Sequence, residues 1–323
     1  MKRIGSRILT IAVCIITVEH IVWADTFGTG ANQFEIDFVN ISGDSGDLGS
    51  WPVGEGYTFS GVNHGDYRMG KFEITNDQWD KFQTELAVPV TGNPSNAYDD
   101  DPHWTGTNIP TNELSWFEAA QFVNWLNTST GHQAAYKFTG TQGQNNYTYA
   151  LWEEGDIGYQ SSNPFRNSNA YYFLPTDSEW VKAAYWDGTT LQRYSNASID
   201  DLVLGEPDPA KWNYSNYGGT EPWSVDSGVE ELNGTFHMMG NVWEWMENPY
   251  SPEQYASDSD RGVRGGSYYN TTGTLASRYR AYNVTDNEAI EIGFRVASVP
   301  EPCGLVLFGL GGVVLLKKRI IRR

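Results

Sequence analysis

Cysteine is nearly absent from this chain of 323 residues, and its two copies lie close to the ends, at Cys14 and Cys303. The long central part of the sequence therefore has no disulfide framework, no thiolate metal site and no cysteine nucleophile. Motifs for a P-loop, a nucleophile elbow or a zinc site are missing as well. None of these common catalytic signatures defines the function of the protein.

Basic residues are scarce between the two ends. Residues 25–300 carry 13 Lys and Arg against 38 Asp and Glu, a net charge of −25. Such a surface repels nucleic acid and anionic lipid, so nucleic acid is not an expected partner. Two acidic loops, at 98–104 and 257–260, have the charge to attract divalent cations but lack the spacing of an EF-hand loop. We expect both to be solvated loops.

Long hydrophobic runs occur only at the ends. Residues 1–24 carry basic residues, an apolar run and "VWA" ending at Ala24, the pattern of a signal peptide cleaved before Asp25. A buried N-terminal helix is the alternative. At the other end, "VPEP" precedes an apolar run at 303–316 and the basic segment "KKRIIRR". That run is short for a bilayer span, which needs about 20 residues.

The C-terminal segment resembles the PEP-CTERM sorting signal in its Pro-Glu-Pro motif, short hydrophobic stretch and basic end, at residues 299–323. The resemblance implies export, recognition by an exosortase-type enzyme and cleavage near the motif. It also implies delivery to the cell envelope or extracellular matrix of a Gram-negative-type bacterium. Membrane contact would then be transient and made by the C-terminal segment. A plain tail anchor is the alternative.

Three segments in the central part share one pattern. A Ser or Thr is followed three residues later by Glu or Gln, and apolar residues then recur at helical spacing, at 75–86, 115–126 and 176–186. Each pattern is a capping box and predicts a short amphipathic helix. Four further segments read as strands: "QFEIDFVNI", "YRMGKFEI", "YYFLP" and "GFRVAS". We find no domain boundary between residues 25 and about 298.

Six blocks occur in an order that is typical of one family. They are "YRMGKFEITNDQWDKF", "IPTNELSWFEAAQFVNWLN", "YFLPTDSEWVKAAYW", "FHMMGNVWEW", "VRGGSYYN" and "IGFRVAS". This series, spanning residues 67–298, resembles the formylglycine-generating enzyme (sulfatase-modifying factor) family. The resemblance implies an α+β, C-type-lectin-like single domain with little regular secondary structure and a shallow substrate groove. We expect this domain to cover residues 25–298, between the signal peptide and the sorting signal.

The block "GNVWEW" resembles a calcium site of that family. The implied ligands are the side chain of His237, the main-chain carbonyls of Gly240 and Val242, and the carboxylate of Glu244. His237 stands where the family usually has Asp or Asn, and an imidazole is a poor ligand for Ca²⁺, which prefers oxygen. Two interpretations are open: a calcium site weakened by this change, or a buried Glu244 paired within the core. A second family calcium site would involve Asn213, but its loop is shortened here.

The enzymes of this family hold copper with two cysteines downstream of the "GGS" motif, because thiolates select Cu(I). Asn270 stands at the first of these positions, and Ala276 or its neighbour Leu275 at the second. None of these side chains binds Cu(I), so we expect neither copper nor formylglycine-generating activity. Trp243 and Ser267 match residues of the family's groove.

Three functional classes remain. The first is a non-catalytic binding or matrix protein whose partner is an extracellular glycan or an envelope protein. The second is an enzyme of different chemistry in the same groove, and the third is a structural partner of another envelope protein. The missing cysteines, the sorting signal and the many aromatic residues favour the first class. Relatives that use iron take histidines from a second domain, whereas the histidines of this central part are few and scattered.

Overall fold

The computed structural model describes residues 22–43, 65–195, 202, 207, 211–214, 220–251 and 254–300. Most of the predicted signal peptide and nearly all of the predicted sorting signal lie outside these ranges. Within the described ranges, no helix combines the length and apolar character needed to cross a membrane. The apolar run at 303–316 is not among the described residues.

The three helices lie where the capping boxes predict them. They are α1 (Asn76–Leu86), α2 (Trp116–Ser129) and α3 (Asp177–Tyr185). In α1, the Gln78 amide donates to the Thr75 hydroxyl at 3.3 Å, and the Thr75 amide donates to the Gln78 side chain at 2.9 Å. Helices α2 and α3 begin with the same reciprocal pair of hydrogen bonds. These bonds satisfy amides that have no partner inside the helix, which fixes each start.

The described residues contain eleven strands in three sheets. The strands are β1 (Val22–Phe27), β2 (Phe34–Ile41), β3 (Tyr67–Gly70), β4 (Lys137–Thr139), β5 (Thr148–Ala150), β6 (Tyr172–Phe173), β7 (Trp243–Pro249), β8 (Arg261–Arg264), β9 (Ala281–Asn283), β10 (Ile292–Gly293) and β11 (Ala297–Ser298). One sheet has the order β1-β2-β3-β11-β6 and is antiparallel throughout. The second has the order β10-β7-β8-β9 and contains one parallel pair, β10 with β7. Strands β4 and β5 form a separate hairpin.

Strand β1 includes the predicted signal-peptide cleavage point. Val22 pairs with Val39, and the pairing continues through Asp25 with Ile36 to the end of the strand. Cleavage before Asp25 would therefore shorten β1 and leave its second half paired with β2. The cleavage itself stays a prediction.

The stretch "WEWMENP" corrects the sequence-based interpretation of this block as a turn. The turn ends at Val242, and strand β7 begins at Trp243. The acidic residue inside the stretch hides the strand pattern, because a charged residue is not expected at a buried position. Strands β1, β4, β5, β8 and β9 were likewise not predicted from the sequence.

Strand β7 lies between two hydrophobic clusters, and its alternation explains the order of its residues. Trp243 and Trp245 pack into a cluster rich in aromatic side chains from β1, β2, α1 and α2. Met246 packs into a second cluster that contains much of α3. Because successive side chains of a strand point to opposite faces, Glu244 faces away from the two tryptophans. The carboxylate lies between two indoles in sequence but not in space.

A buried ion cluster joins α3 to the second sheet. The Asp177 carboxylate accepts from Arg264 through two bonds, of 2.6 and 2.8 Å. Arg280 Nε lies 3.0 Å from the same carboxylate. Burial acts to raise the pKa of Asp177, but the two guanidinium groups outweigh it and hold that pKa below its usual value. The charge is therefore present and paired at neutral pH.

We expect Asp177→Ala to destabilise the protein far more than Asp77→Ala. Both residues lie in the first turn of a helix, but Asp77 pairs with Lys81 at the surface, at 2.7 Å. Breaking a buried pair leaves an uncompensated charge and costs about 3–5 kcal/mol, whereas a surface helix pair contributes about 0.5 kcal/mol. Urea unfolding of both variants measures the difference. Equal losses would show that the buried cluster does not support the fold.

Candidate functional site

The turn before β7 has a left-handed backbone at three positions. His237, Gly240 and Asn241 have φ values of 57°, 90° and 61°. A Cβ atom on Gly240 would lie 2.0 Å from the Asn213 carbonyl oxygen, so glycine is required there. The Asn241 amide donates to that same carbonyl at 2.8 Å. The close approach of these two segments fixes the turn.

Asn241 connects this turn to its surroundings through its side chain. Its Oδ1 accepts from Asn213 Nδ2 at 2.9 Å and from the Trp223 amide at 2.7 Å. Its Nδ2 donates to Glu73 at 2.8 Å. Few residues other than glycine adopt a left-handed conformation. In Asn241 it is stabilised by the hydrogen bonds that the side-chain oxygen accepts and the side-chain nitrogen donates.

Glu244 is fully buried and its carboxylate is bound by two side chains. Arg295 donates from Nε to Oε2 at 2.6 Å and from Nη2 to Oε1 at 2.7 Å. Trp180 of α3 donates its indole N–H to Oε2 at 2.7 Å. Arg295 also donates to the carbonyls of Gly70, at 2.9 Å, and Phe236, at 2.8 Å. A two-bond guanidinium–carboxylate pair of this kind is among the strongest polar contacts in proteins.

Two further buried carboxyls lie near this pair. Burial raises the pKa of Glu231 to about 8, although the carboxyl accepts from the amides of Met238 and Met239. Burial and the neighbouring charge of Glu244 raise the pKa of Glu73 well above its usual value. One guanidinium thus faces three carboxyls, and Glu244 is the one that it contacts.

The residues at the predicted calcium site do not fit a Ca²⁺ ion. Both oxygens of Glu244 already accept from Arg295, and a cation there would be repelled by the guanidinium. His237 is buried, which lowers its pKa to about 4 and keeps it neutral. Its ring nitrogen lies 3.3 Å from the Ser224 carbonyl oxygen. The geometry matches the second interpretation, a carboxylate paired within the core. Thermal unfolding with and without calcium, described below, distinguishes the two interpretations.

Of the four residues predicted for the groove, Trp243, Ser267 and Ala276 are buried and Asn270 is half-buried. Trp243 is buried, with its ring 6.0 Å from that of Tyr279. Ser267 is also buried, and both its amide and its hydroxyl donate to Asn270 Oδ1, at 2.9 and 2.8 Å. Ala276 lies in the second hydrophobic cluster together with Leu275.

At the two positions of the family's copper ligands, Asn270 therefore stabilises a turn and Ala276 packs in the core. These side chains do not fit a copper ion.

Two aromatic pairs, Trp104 with Tyr268 and Trp243 with Tyr279, were not predicted from the sequence. The Trp104 indole donates to the Tyr268 hydroxyl at 3.2 Å, and their rings meet edge to face at 5.7 Å. The Tyr268 amide donates to the Asn241 carbonyl at 2.7 Å, which attaches this pair to the turn before β7. Tyr269 and Tyr279 are 56% and 41% exposed. We call these five residues, Trp104, Trp243, Tyr268, Tyr269 and Tyr279, the aromatic surface; Trp243 and Tyr268 are themselves buried, so Tyr269 and Tyr279 are its exposed members.

Acidic side chains meet at a second place in the described part of the chain. One carboxylate oxygen from each of Asp99, Asp100 and Glu288 lies within 4.8 Å of the other two. Burial raises the pKa of Glu288 to about 7, and its carboxyl interacts with that of Glu118 on α2. Asp99 and Asp100 are exposed, as expected for a solvated loop.

The short strands, three capped helices and loop-built site together define a C-type-lectin-like α+β domain, as the sequence predicts. The chain belongs to the sulfatase-modifying factor family, because residues 37–299 match the sulfatase-modifying factor enzyme 1-like domain. Treponema denticola variable protein 1 has a similar fold, with a TM-score of 0.58 and 20% identity over 86% of this chain and 99% of that protein. That likeness concerns the fold alone.

Two relatives with assigned roles are similar over most of this chain. The chaperone protein LppX of Paenibacillus barcinonensis is 26% identical over 247 residues, 69% of this chain and 76% of the relative. The hercynine oxygenase of Mycolicibacterium smegmatis is 24% identical over 258 residues, 72% of this chain and 52% of the relative. The chain therefore spans about half the length of the oxygenase. The names of these relatives describe unrelated activities.

We expect millimolar calcium to leave the thermal unfolding midpoint unchanged. If a Ca²⁺ ion were bound only by the native state, it would stabilise that state by about 2.7 kcal/mol at 100 times Kd. We expect Glu244→Gln to lower the midpoint in calcium and in a chelator alike, because it leaves the buried Arg295 without a counter-charge. Calorimetric scans of both proteins in both buffers measure this. A calcium-dependent rise that Glu244→Gln abolishes would establish Glu244 as a calcium ligand instead.

Proposed function

We propose that this protein is an exported, non-catalytic binding module that attaches to an extracellular glycan. The proposal rests on one observation in particular: the exposed side chains of Tyr269 and Tyr279 adjoin the copper-ligand positions, which hold Asn270 and Ala276, with the Tyr279 amide donating to the Ala276 carbonyl at 2.7 Å. The domain thus presents exposed aromatic side chains beside the positions at which the family resemblance implies copper ligands. The different names of the relatives agree with a fold that carries several functions.

The chemistry of the aromatic surface favours a saccharide. Tyr and Trp combine an apolar ring with a polar group at the edge, which makes them frequent in binding surfaces. A sugar offers the complementary pattern, since its C–H faces pack on rings and its hydroxyls form hydrogen bonds. Tyr269 and Tyr279 are exposed enough to contact such a ligand directly, and Trp243 lies against Tyr279.

Export is the second part of the proposal. Signal-peptide cleavage before Asp25 would leave an N-terminus that is already held in place. The Asp25 carboxylate accepts from Arg68 at 2.9 and 2.6 Å, and from the Tyr172 hydroxyl at 2.8 Å. An exosortase-type enzyme would then process the chain near residues 300–302 and release it to the envelope or matrix. The net charge of −25 on residues 25–300 suits a hydrated matrix and disfavours anionic polymers as ligands.

An enzyme of different chemistry at the same site is the second candidate. Its support is the similarity to hercynine oxygenase. The histidines of the described residues have different surroundings: the His132 ring stacks on Tyr171 at 4.6 Å, His103 lies against Trp104 at 4.8 Å, and His237 is buried. The separate surroundings of these histidines support an oxygenase function less than the aromatic surface supports glycan binding.

We expect Tyr269→Ala and Tyr279→Ala each to weaken glycan binding about tenfold, a loss of about 1.4 kcal/mol that is typical of an aromatic contact. Tyr282→Ala is the matched control, because Tyr282 is as exposed as Tyr269 but packs against Tyr250 outside the aromatic surface. Purified protein is applied to an array of neutral and charged oligosaccharides, and the strongest ligand is titrated by calorimetry.

If Tyr269→Ala, Tyr279→Ala and Tyr282→Ala all bind the glycan as tightly as the wild type does, the aromatic surface is not the binding site. Binding to no glycan on the array would contradict the proposed ligand class. Conversion of a sulfatase-type Cys peptide to its aldehyde in the presence of copper and reductant, above a control without protein, would contradict the non-catalytic assignment.

A further inference from the structure

A cavity of about 340 Å³ opens on a part of the surface that shares no residue with the aromatic surface. It lies where β5, the start of α2, the segment at 93–94 and the loop after β9 meet. Its volume falls at the lower end of the range for small-molecule pockets, about 300–1,000 Å³. This size suits a single sugar ring.

The floor of the cavity is aromatic and rigid. Phe117 and Tyr149 are both almost fully buried, with ring centroids 6.1 Å apart. The Trp116 ring holds Tyr149 from the other side, at 4.9 Å. Arg261 is fully buried behind Tyr149, 5.8 Å from the ring centroid, and is not among the lining residues. A ligand in the cavity would meet the rings and not the guanidinium.

One wall of the cavity is polar and closely fixed. The Asn93 amide donates to the Tyr147 carbonyl at 3.0 Å, which places Asn93 beside Thr148. A Cβ atom on Gly92 would lie 2.4 Å from that same carbonyl oxygen. Glycine therefore permits the close approach of the two segments. Asn93 and Thr148, which carry an amide and a hydroxyl, are both lining residues of the cavity.

The charged residues that line the cavity, Asp258 and Asp286, are both carboxylates. The Trp116 amide donates to the Thr285 carbonyl at 3.1 Å, which fixes the loop carrying Asp286 to the start of α2. Asn96 Nδ2 donates to Asp286 Oδ2 at 3.0 Å and orients this carboxylate. The lining therefore favours a ligand with positive charge and disfavours an acidic one.

We propose that this cavity binds a sugar ring that carries a free amino group. The apolar side of the ring contacts the small exposed parts of Phe117 and Tyr149, and its hydroxyls form hydrogen bonds with Asn93 and Thr148. The ammonium group lies between the two carboxylates. This single ligand class satisfies the aromatic floor, the polar wall and the charge together. The inference goes beyond the proposed function, because it assigns a second site that works independently of the aromatic surface.

The test is calorimetric titration of the full chain with a glucosamine trimer and with its fully N-acetylated counterpart. We expect the free-amine trimer to bind at least about tenfold more tightly, because acetylation removes the charge-assisted hydrogen bonds. Asp258→Asn and Asp286→Asn should each weaken its binding about tenfold, whereas Tyr279→Ala should leave it unchanged. Glu35→Gln, which removes an exposed carboxylate of β2 outside the cavity, is the charge control.

Each other result overturns the inference. Equal affinity for the two trimers, or no binding of either, would remove the amino sugar as the ligand. Unchanged affinity in both Asn variants, with unfolding midpoints equal to that of the wild type, would remove the cavity as the site. Loss of binding in Tyr279→Ala would move the site to the aromatic surface, which leaves the proposed function standing while this inference fails.

Discussion

The buried pair of Glu244 and Arg295 connects more parts of this fold than any other polar contact that we describe. Glu244 belongs to β7, and Arg295 lies between β10 and β11. The carboxylate also accepts from Trp180 of α3, and the guanidinium donates to the backbone at Gly70 and Phe236. One pair thus joins both larger sheets, a helix and the segment before the turn. Loss of either partner would leave an ion in an apolar interior without a counter-charge.

Buried ion pairs between arginine and a carboxylate occur at other places in the described residues. Arg166 bridges Glu179 of α3 and Glu247 of β7, at 2.8 and 2.6 Å. Asp177 and Arg264 join α3 to the second sheet, and Arg68 holds Asp25 of β1. The domain is made mostly of short strands and loops, and the two cysteines of the chain, Cys14 and Cys303, lie outside it. Its arrangement depends on these geometrically specific contacts and on two hydrophobic clusters that contain many aromatic residues. The loops that carry the aromatic surface and the cavity rest on this rigid support.

The helices and the family could be predicted from the sequence, whereas the role of Glu244 could not. Capping boxes and apolar spacing are local signals, so α1, α2 and α3 were evident. The partner of Glu244 is 51 residues away in sequence, and "IGFRVAS" gives no local sign that its arginine pairs with "WEW". The aromatic surface was missed for the same reason, because Trp104 and Tyr268 are brought together across 164 residues. Their contact depends on the path of the chain through the whole fold.

The most direct test of this account is a double-mutant cycle on Glu244 and Arg295. Urea unfolding of Glu244→Gln, Arg295→Met and the double variant gives the coupling energy of the pair. If the two side chains act as one unit, the coupling is about 1.5 kcal/mol or more, and the double variant loses clearly less stability than the sum of the single losses. Losses that add to within about 0.5 kcal/mol would contradict this account, because they would show that the two side chains stabilise the fold independently.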